Sequence, residues 1–317
     1  MNAPVSASRH FRTTKFDFGS FFFTSLTGLA TLCILGILAV ILFNILASGL
    51  PAISWRFIST IPKKDFFDPA TTGVLPMILG TSIRVIVMTI FVIPIGVITA
   101  IYLTEYAKRT SITTRFIRGA VNNLAGVPSI VFGLFGLGFF ISFVGGNLDK
   151  LFAPEGERVW GNACILWASL TLAVMTLPVV IVATEESLRA IAPGLREASL
   201  ALGATKLETI WRVVLPQALP GIMTGGILAV GRAAGEVAPI LFTGAAYYMA
   251  RLPQSLTDQF MDLGYHVYIL STQSPNVDRT KPILYATVAV LVMLTFALNF
   301  VAILIRARIR RRMRQAH

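Results

Sequence analysis

Six stretches of the chain are nearly continuous apolar runs, at 21–47, 73–103, 119–144, 161–183, 219–248 and 281–305. Each is long enough to cross a bilayer as a tilted helix, which needs ~20 residues at a rise of ~1.5 Å per residue. The pattern predicts six membrane-spanning helices. The first run follows a polar leader and is 27 residues long. A cleavable signal has an apolar core of only ~7–15 residues, so this run is expected to stay in the protein. Two short helical segments are expected between the fourth and fifth runs, in the loop 184–218.

Composition agrees with the pattern. Of 317 residues, 55% are hydrophobic and 13% charged, with a mean hydropathy of +0.74. A soluble chain carries charge on about a quarter of its residues, so a soluble enzyme and a disordered chain are both excluded. The net charge of +12 does not point to nucleic acid, because six arginines of the excess lie between Arg306 and Arg314, directly behind the last apolar run. That is a cytoplasmic membrane flank in contact with membrane lipids, and no basic patch is interleaved with aromatics. Cys33 and Cys164 both lie in apolar runs without partners at metal spacing, and read as small buried hydrophobes.

The distribution of Lys and Arg sets an orientation. The N-terminal stretch, the loops 104–118 and 184–218 and the tail carry seventeen, whereas 48–72, 145–160 and 249–281 carry eight. Both termini are therefore expected in the cytoplasm. The chain divides into a cytoplasmic N-terminal segment 1–20, a six-span transmembrane domain 21–305 and a basic cytoplasmic tail 306–317. Pro94, Pro128, Pro178 and Pro239, with glycines at 126, 133, 136 and 138, admit either ordinary close packing or a bundle that rocks between two arrangements.

The loop 184–218 is patterned. Pro193 suits the first turn of a helix and Gly203 the left-handed residue that ends one. Between them Leu195, Ala198, Ser199 and Leu202 recur at i, i+3, i+4 and i+7, giving one small apolar face that suits a partner's groove; an interfacial helix against headgroups is the alternative. A second helical stretch, 207–214, leads back into the membrane.

Charges within the runs are the candidate chemistry, because each costs at least ~2.5–3.5 kcal/mol at membrane depth and should face the bundle interior or water. Arg232 and Glu236 in the fifth run are four apart and share one helical face. They read either as a structural ion pair or as a cavity lining. In the second case Arg232 offers planar donors to an oxyanion, and Glu236 weakens its grip enough for release. Arg84 lies about a third of the way into the second run from its outer end, where it either snorkels to the interface or lines the upper cavity. Glu105, Lys108 and Arg109 form an interfacial cluster at that run's inner end. Glu185 and Glu186 are adjacent, so they point to different faces of a helix and suit structural or partner contacts rather than paired catalysis.

The run Glu197-Ala198-Ser199, with Gly203 four residues later and Val213-x-Leu215-Pro216 ten beyond that, resembles the E-A-A…G…I-x-L-P signature of permease subunits of binding-protein-dependent ABC importers. Ser199 and Val213 are its two departures. The resemblance implies an all-α, six-helix type I ABC importer permease bundle. The helix bearing Leu195, Glu197, Ala198, Ser199, Leu202 and Gly203 would be the coupling helix that inserts into a cytoplasmic ATPase. No phosphate loop of the form G-x-x-x-x-G-K-[S/T] occurs, so ATP is expected to be hydrolysed by a separate ABC ATPase dimer and this chain to bind no cofactor.

Gly235-Glu236-Val237-Ala238-Pro239-Ile240-Leu241-Phe242-Thr243 with the following Gly-Ala-Ala-Tyr-Tyr, Asp258-Gln259-Phe260-Met261, Tyr265-His266-Val267-Tyr268 and Ala125-Gly126-Val127-Pro128-Ser129 are similar to stretches of a narrower group, the A-type permease subunits (PstA) of bacterial phosphate importers. The likeness covers roughly residues 73–305 and leaves Arg84 outside its pattern. It implies inorganic phosphate as substrate, with Arg232 and Glu236 on its path. The implied partners are a homologous C-type permease subunit and an extracytoplasmic phosphate-binding protein, the latter touching His266 and the tyrosines of the loop 249–281. A permease for sulfate, molybdate or another small solute is the nearest alternative. A passive channel and a membrane-embedded enzyme are more distant, the enzyme because no nucleophile and base meet near one membrane face.

Overall fold

The computed structural model describes residues 18–62, 67–68, 72–108, 110–154 and 156–315, with side chains through Arg311. The basic residues of 1–17, Lys63, Lys64, Asp65, Arg109, Glu155 and the side chains of Arg312 and Arg314 lie outside that description. The described chain is helical, and six of its helical stretches are long and apolar enough to span a membrane. The described residues fall into two compact units, divided between Ala47 and Ser48.

The first unit carries most of α1, Phe18–Gly49. Most of its apolar side chains are exposed. Cys33 is exposed with them, against expectation, because on a helix apolar all round the position of a residue does not reveal which face is covered.

In the second unit the end of α1 and a tight turn, Leu50–Ala52, lead to the single turn α2, Trp55–Ser59, and the second span, α3, Leu75–Ile101, which ends in wide π-type turns through Tyr106. The expected third span, 119–144, starts later than its hydropathy suggests. Residues Ile112–Ala125 form a separate amphipathic helix, α4, which breaks at Gly126 because Pro128 cannot donate an N–H and disfavours helical geometry in the residue before it. The span proper is α5, Ser129–Phe135, continued by the π-type stretch Gly136–Gly145 and α6, Gly146–Phe152.

The fourth span, α7, Ile165–Arg189, is the centre of the bundle. It is buried from Ile165 to Leu188 on the faces turned to α3 and to the fifth span. Two short helices follow, α8, Pro193–Ala201, and α9, Lys206–Thr209. From α9 the chain runs through Ile210–Val214 into α10, Leu215–Gly235, so the fifth span begins earlier than expected. It also ends earlier. Glu236 is extended, and only the single turn α11, Ile240–Thr243, precedes the outer segment. Pro239 accounts for this, since it lacks the N–H that Gly235 O would need and biases Ala238 out of the helix.

The segment 249–276 contains a further helix, α12, Leu263–Thr272, capped by Asp262. The sixth span, α13, Val277–Gln315, continues as helix well into the basic tail.

Close approach of α3, α7 and α10 relies on small residues. A Cβ on Gly225 would lie 2.7 Å from the Ala183 methyl, and one on Gly96 equally close to Val180. The core divides into layers: Val85, Met88, Leu172, Met175 and Ala233 at mid-depth, Met77, Met261, Leu263 and Ile283 at the α12 end, and Ala100, Leu188, Val214 and Ile222 at the α8 end.

Candidate functional site

Two places in the fold carry ionised or exposed groups out of keeping with a helix facing lipid. The first is the α8 hairpin. Pro193 occupies its first turn and Gly203 takes φ +88°, as the spacing predicts. Gly203 N–H donates to Leu200 O and Ala204 N–H to Ser199 O, the paired bonds that close a helix through a left-handed residue. Thr205 and Glu208 then cap α9 reciprocally. Leu202 is 89% exposed and Leu195 43%, with Glu197 and Ala198 also exposed. Ser199 departs from this face and is half-buried, sharing a hydrogen bond with Thr209 Oγ1 at 2.9 Å.

The inner side of α8 is held by charge. Arg196 donates Nε and Nη2 to Glu105 Oε1 at 3.1 and 2.9 Å, and its Nη groups also reach Ile191 O and Leu188 O. Lys206 Nζ donates to Glu105 O and lies 4.8 Å from the centroid of the Tyr106 ring. Glu185 joins the same end of the bundle, accepting from Arg118 of α4 and Arg189 of α7, both at 2.8 Å. Glu105 and Glu185 are thus structural acids, and Glu105 anchors the hairpin to the second span.

The second place is the end of α10. Arg232 Nε and Glu236 Oε1 are 3.4 Å apart, with Arg232's side chain 45% exposed. The pair forms with Glu236 at the helix end, where its backbone turns extended at φ −77°, ψ 129°. A cation in the last turn is also favoured by the helix dipole. That one long contact is the guanidinium's hydrogen bond among the described residues, and the side chain is otherwise partly exposed.

Arg84 is placed differently from either expectation. It is fully buried and does not reach the interface. Its Nε donates to Asp262 Oδ2 at 2.6 Å, Nη1 to Ala233 O at 2.8 Å and Nη2 to Ala234 O at 3.1 Å. Thr81 Oγ1 donates to the same carboxylate oxygen at 2.8 Å. Asp262 Oδ1 accepts from Gly264 N and Tyr265 N. Removing one member of a buried pair leaves an uncompensated charge, at a cost on the order of 3–5 kcal/mol. Asp262 carried no local signal in the sequence as this partner, being 178 residues from Arg84.

His266 is corrected as well. It is 2% exposed, turned into the bundle from α12, so it offers no surface to a partner. Loss of solvent lowers its pKa to about 3. Tyr268, stacked on Tyr265, and Tyr247 are exposed or partly exposed.

The sequence pattern of the family described as binding-protein-dependent transport system inner membrane component matches residues 92–315. A probable ABC transporter permease protein, YqgI, of Bacillus subtilis (strain 168) is 34% identical over 220 residues, covering 69% of this chain and 68% of that one. The phosphate transport system permease protein PstA of Mycobacterium leprae (strain TN) is 34% identical over 248 residues, 75% of this chain and 71% of that one. PstA 1 of Mycobacterium tuberculosis (strain CDC 1551 / Oshkosh) is 41% identical over 170 residues, 53% and 50% of the two chains. The fold is also that of a chain in a bacterial alginate ABC transporter, with a TM-score of 0.61 at 15% identity over 92% of this chain and 95% of that one. A chain of the MetNI methionine ABC transporter superposes with a TM-score of 0.52 at 20% identity, over 75% of this chain and 94% of that one. With 224 consecutive residues inside the family pattern, the chain belongs to the binding-protein-dependent transport system inner membrane components.

Proposed function

We propose that the chain is one half of the translocation pathway of an ATP-driven importer of inorganic phosphate. The observation that carries this is the α8 hairpin, whose Leu195 and Leu202 are exposed while Arg196 of α8 and Lys206 of α9 tie it to Glu105. A rigid short helix with an apolar face suits a cleft in a partner, and an ABC ATPase dimer is the partner that the family implies. The hairpin would then lie in the cytoplasm with both termini, as the Lys and Arg distribution favours.

Phosphate is favoured by the names of the mycobacterial relatives and by the chemistry of Arg232. An oxyanion crossing a low-dielectric bundle needs a cation that also lets it go. Arg232 has donors to spare and a carboxylate 3.4 Å away to weaken its hold. A homologous C-type permease subunit supplies the other half of the path, and an extracytoplasmic phosphate-binding protein delivers the ion. The chain itself performs no covalent chemistry, binds no cofactor and leaves ATP to the partner. The domain division follows: 21–305 for the path, 184–218 for coupling, and the basic tail from Arg306 against anionic headgroups.

The test is uptake of labelled phosphate, sulfate and molybdate by the purified complex in proteoliposomes. Phosphate should be accumulated with ATP inside and excluded without it. Preference for another anion, or transport that persists after the ATPase is removed, overturns the reading.

A further inference from the structure

The mid-depth layer holds an ionised group with no surface at all, and it lies against the end of α10 rather than in an open path. The two carbonyls that Arg84 binds belong to Ala233 and Ala234, the residues immediately after Arg232. They are among the last four of α10, which have no intrahelical N–H to meet. Glu236 N–H reaches Ala233 O as well, so one turn of backbone is held jointly by Arg84 and by the residue that pairs with Arg232. Arg232 itself is tethered by a single contact of 3.4 Å. Where its guanidinium points therefore depends on where this turn is held.

The other end of the tie is the outer segment. Asp262 takes Arg84 Nε and Thr81 on one oxygen and the first N–H groups of α12 on the other. Thr81 also accepts from Leu263 N–H at 3.0 Å. One guanidinium thus fastens three elements: α3, which carries it, the end of α10, and the start of α12. Two apolar side chains could fill the same space without the cost of burying charge. What they could not do is fix three acceptors in one plane, which the fork of an arginine does and a lysine does not.

We infer that Arg84 and Asp262 are positioning residues for the oxyanion contact, holding the turn 232–236 so that Arg232 faces the path and linking it to the outer helix α12. The inference rests on the proposed role of Arg232 in the pathway. Neither residue needs to touch phosphate.

Arg84→Lys and Asp262→Glu each keep the buried charge compensated while disturbing the geometry. Both are measured in the full complex in proteoliposomes as phosphate taken up per ATP hydrolysed, normalised to assembled complex. Each is expected to lower that ratio at least about tenfold, since misplacement of a positioned group by ~1 Å can cost on the order of a hundredfold. Combined with Arg232→Lys, the Arg84→Lys loss should be smaller than the product of the two single losses, because both act through one side chain. A fall in thermal stability or yield with an unchanged ratio overturns the inference, and so do losses that multiply. Arg232→Ala separates it from the reading beneath it. Wild-type uptake in that variant removes Arg232 from the pathway and the inference with it. Abolished uptake there, beside a wild-type ratio in Arg84→Lys and Asp262→Glu, leaves the pathway standing and removes only the positioning role.

Discussion

Arg196 reaches back from α8 and gives two of its donors to one oxygen of Glu105, at 3.1 and 2.9 Å, tying the exposed hairpin to the last turn of the second span. Both side chains are largely covered, Arg196 at 21% exposure and Glu105 at 10%. Any force applied to α8 therefore reaches α3 through a short, charge-assisted joint. Lys206 adds a second attachment on the backbone of the same residue.

Arg196→Ala should loosen that joint, at a cost of about 1–2 kcal/mol for charge-assisted hydrogen bonds at a largely covered site. The expected result is a complex that assembles and hydrolyses ATP but transports less phosphate per ATP. A double-mutant cycle with Glu105→Gln measures the pair, and full additivity of the two losses would remove the joint from the coupling path.

Gly203 has φ +88° and open space around the position of a Cβ, so replacement by valine is opposed by the backbone alone. Left-handed geometry costs an L-residue roughly 1–2 kcal/mol, more for a β-branched one. Gly203→Val should leave the six spans intact and misdirect α8, separating ATP hydrolysis from uptake. Gly203→Asn, which tolerates that region, should retain most coupling. Equal uptake per ATP in Gly203→Val and the parent would refute the assignment of the hairpin.

Arg232→Ala and Glu236→Ala should both abolish phosphate uptake with normal assembly, because one removes the anion's donor and the other the group that tempers it. Glu236→Gln is the finer test: it keeps a side-chain acceptor but removes the charge, and should slow turnover by retaining the anion longer. Loss of assembled complex in all three variants would instead make the pair a structural tie. Size-exclusion profiles beside transport assays distinguish the outcomes.

His266 makes the outer segment sensitive to acid. Burial lowers its pKa from an ordinary 6.5 to about 3, so the folded chain keeps it neutral where the unfolded chain binds a proton. Stability contributed by this site is complete above pH 6.5 and is lost progressively as pH falls toward 3. The thermal midpoint of the complex should fall between pH 7 and 5, and His266→Gln should flatten that slope. An unchanged slope in the variant would place the acid sensitivity elsewhere.

Much of this molecule was legible in order along the chain. The six apolar runs, Pro193 at a helix start, Gly203 at its end and the spacing of Leu195, Ala198 and Leu202 are local signals, because hydrophobic period, fixed proline φ and left-handed glycine act within a few residues. The ends of α4 and α10 were missed, because hydropathy runs on past both breaks and Pro128 and Pro239 read equally well as kinks inside a span. Contacts between distant residues were not legible either. Nothing near Arg84 marks Asp262 as its partner, and nothing near Glu105 marks Arg196, because a buried charge finds its counter-ion through packing of separate helices. The sequence alone determined that charges lie within the spans and that a helix projects between two of them. Only tertiary packing decided which charge is sealed in and which is left open, because exposure belongs to the neighbours a side chain acquires on folding and not to its place in the run.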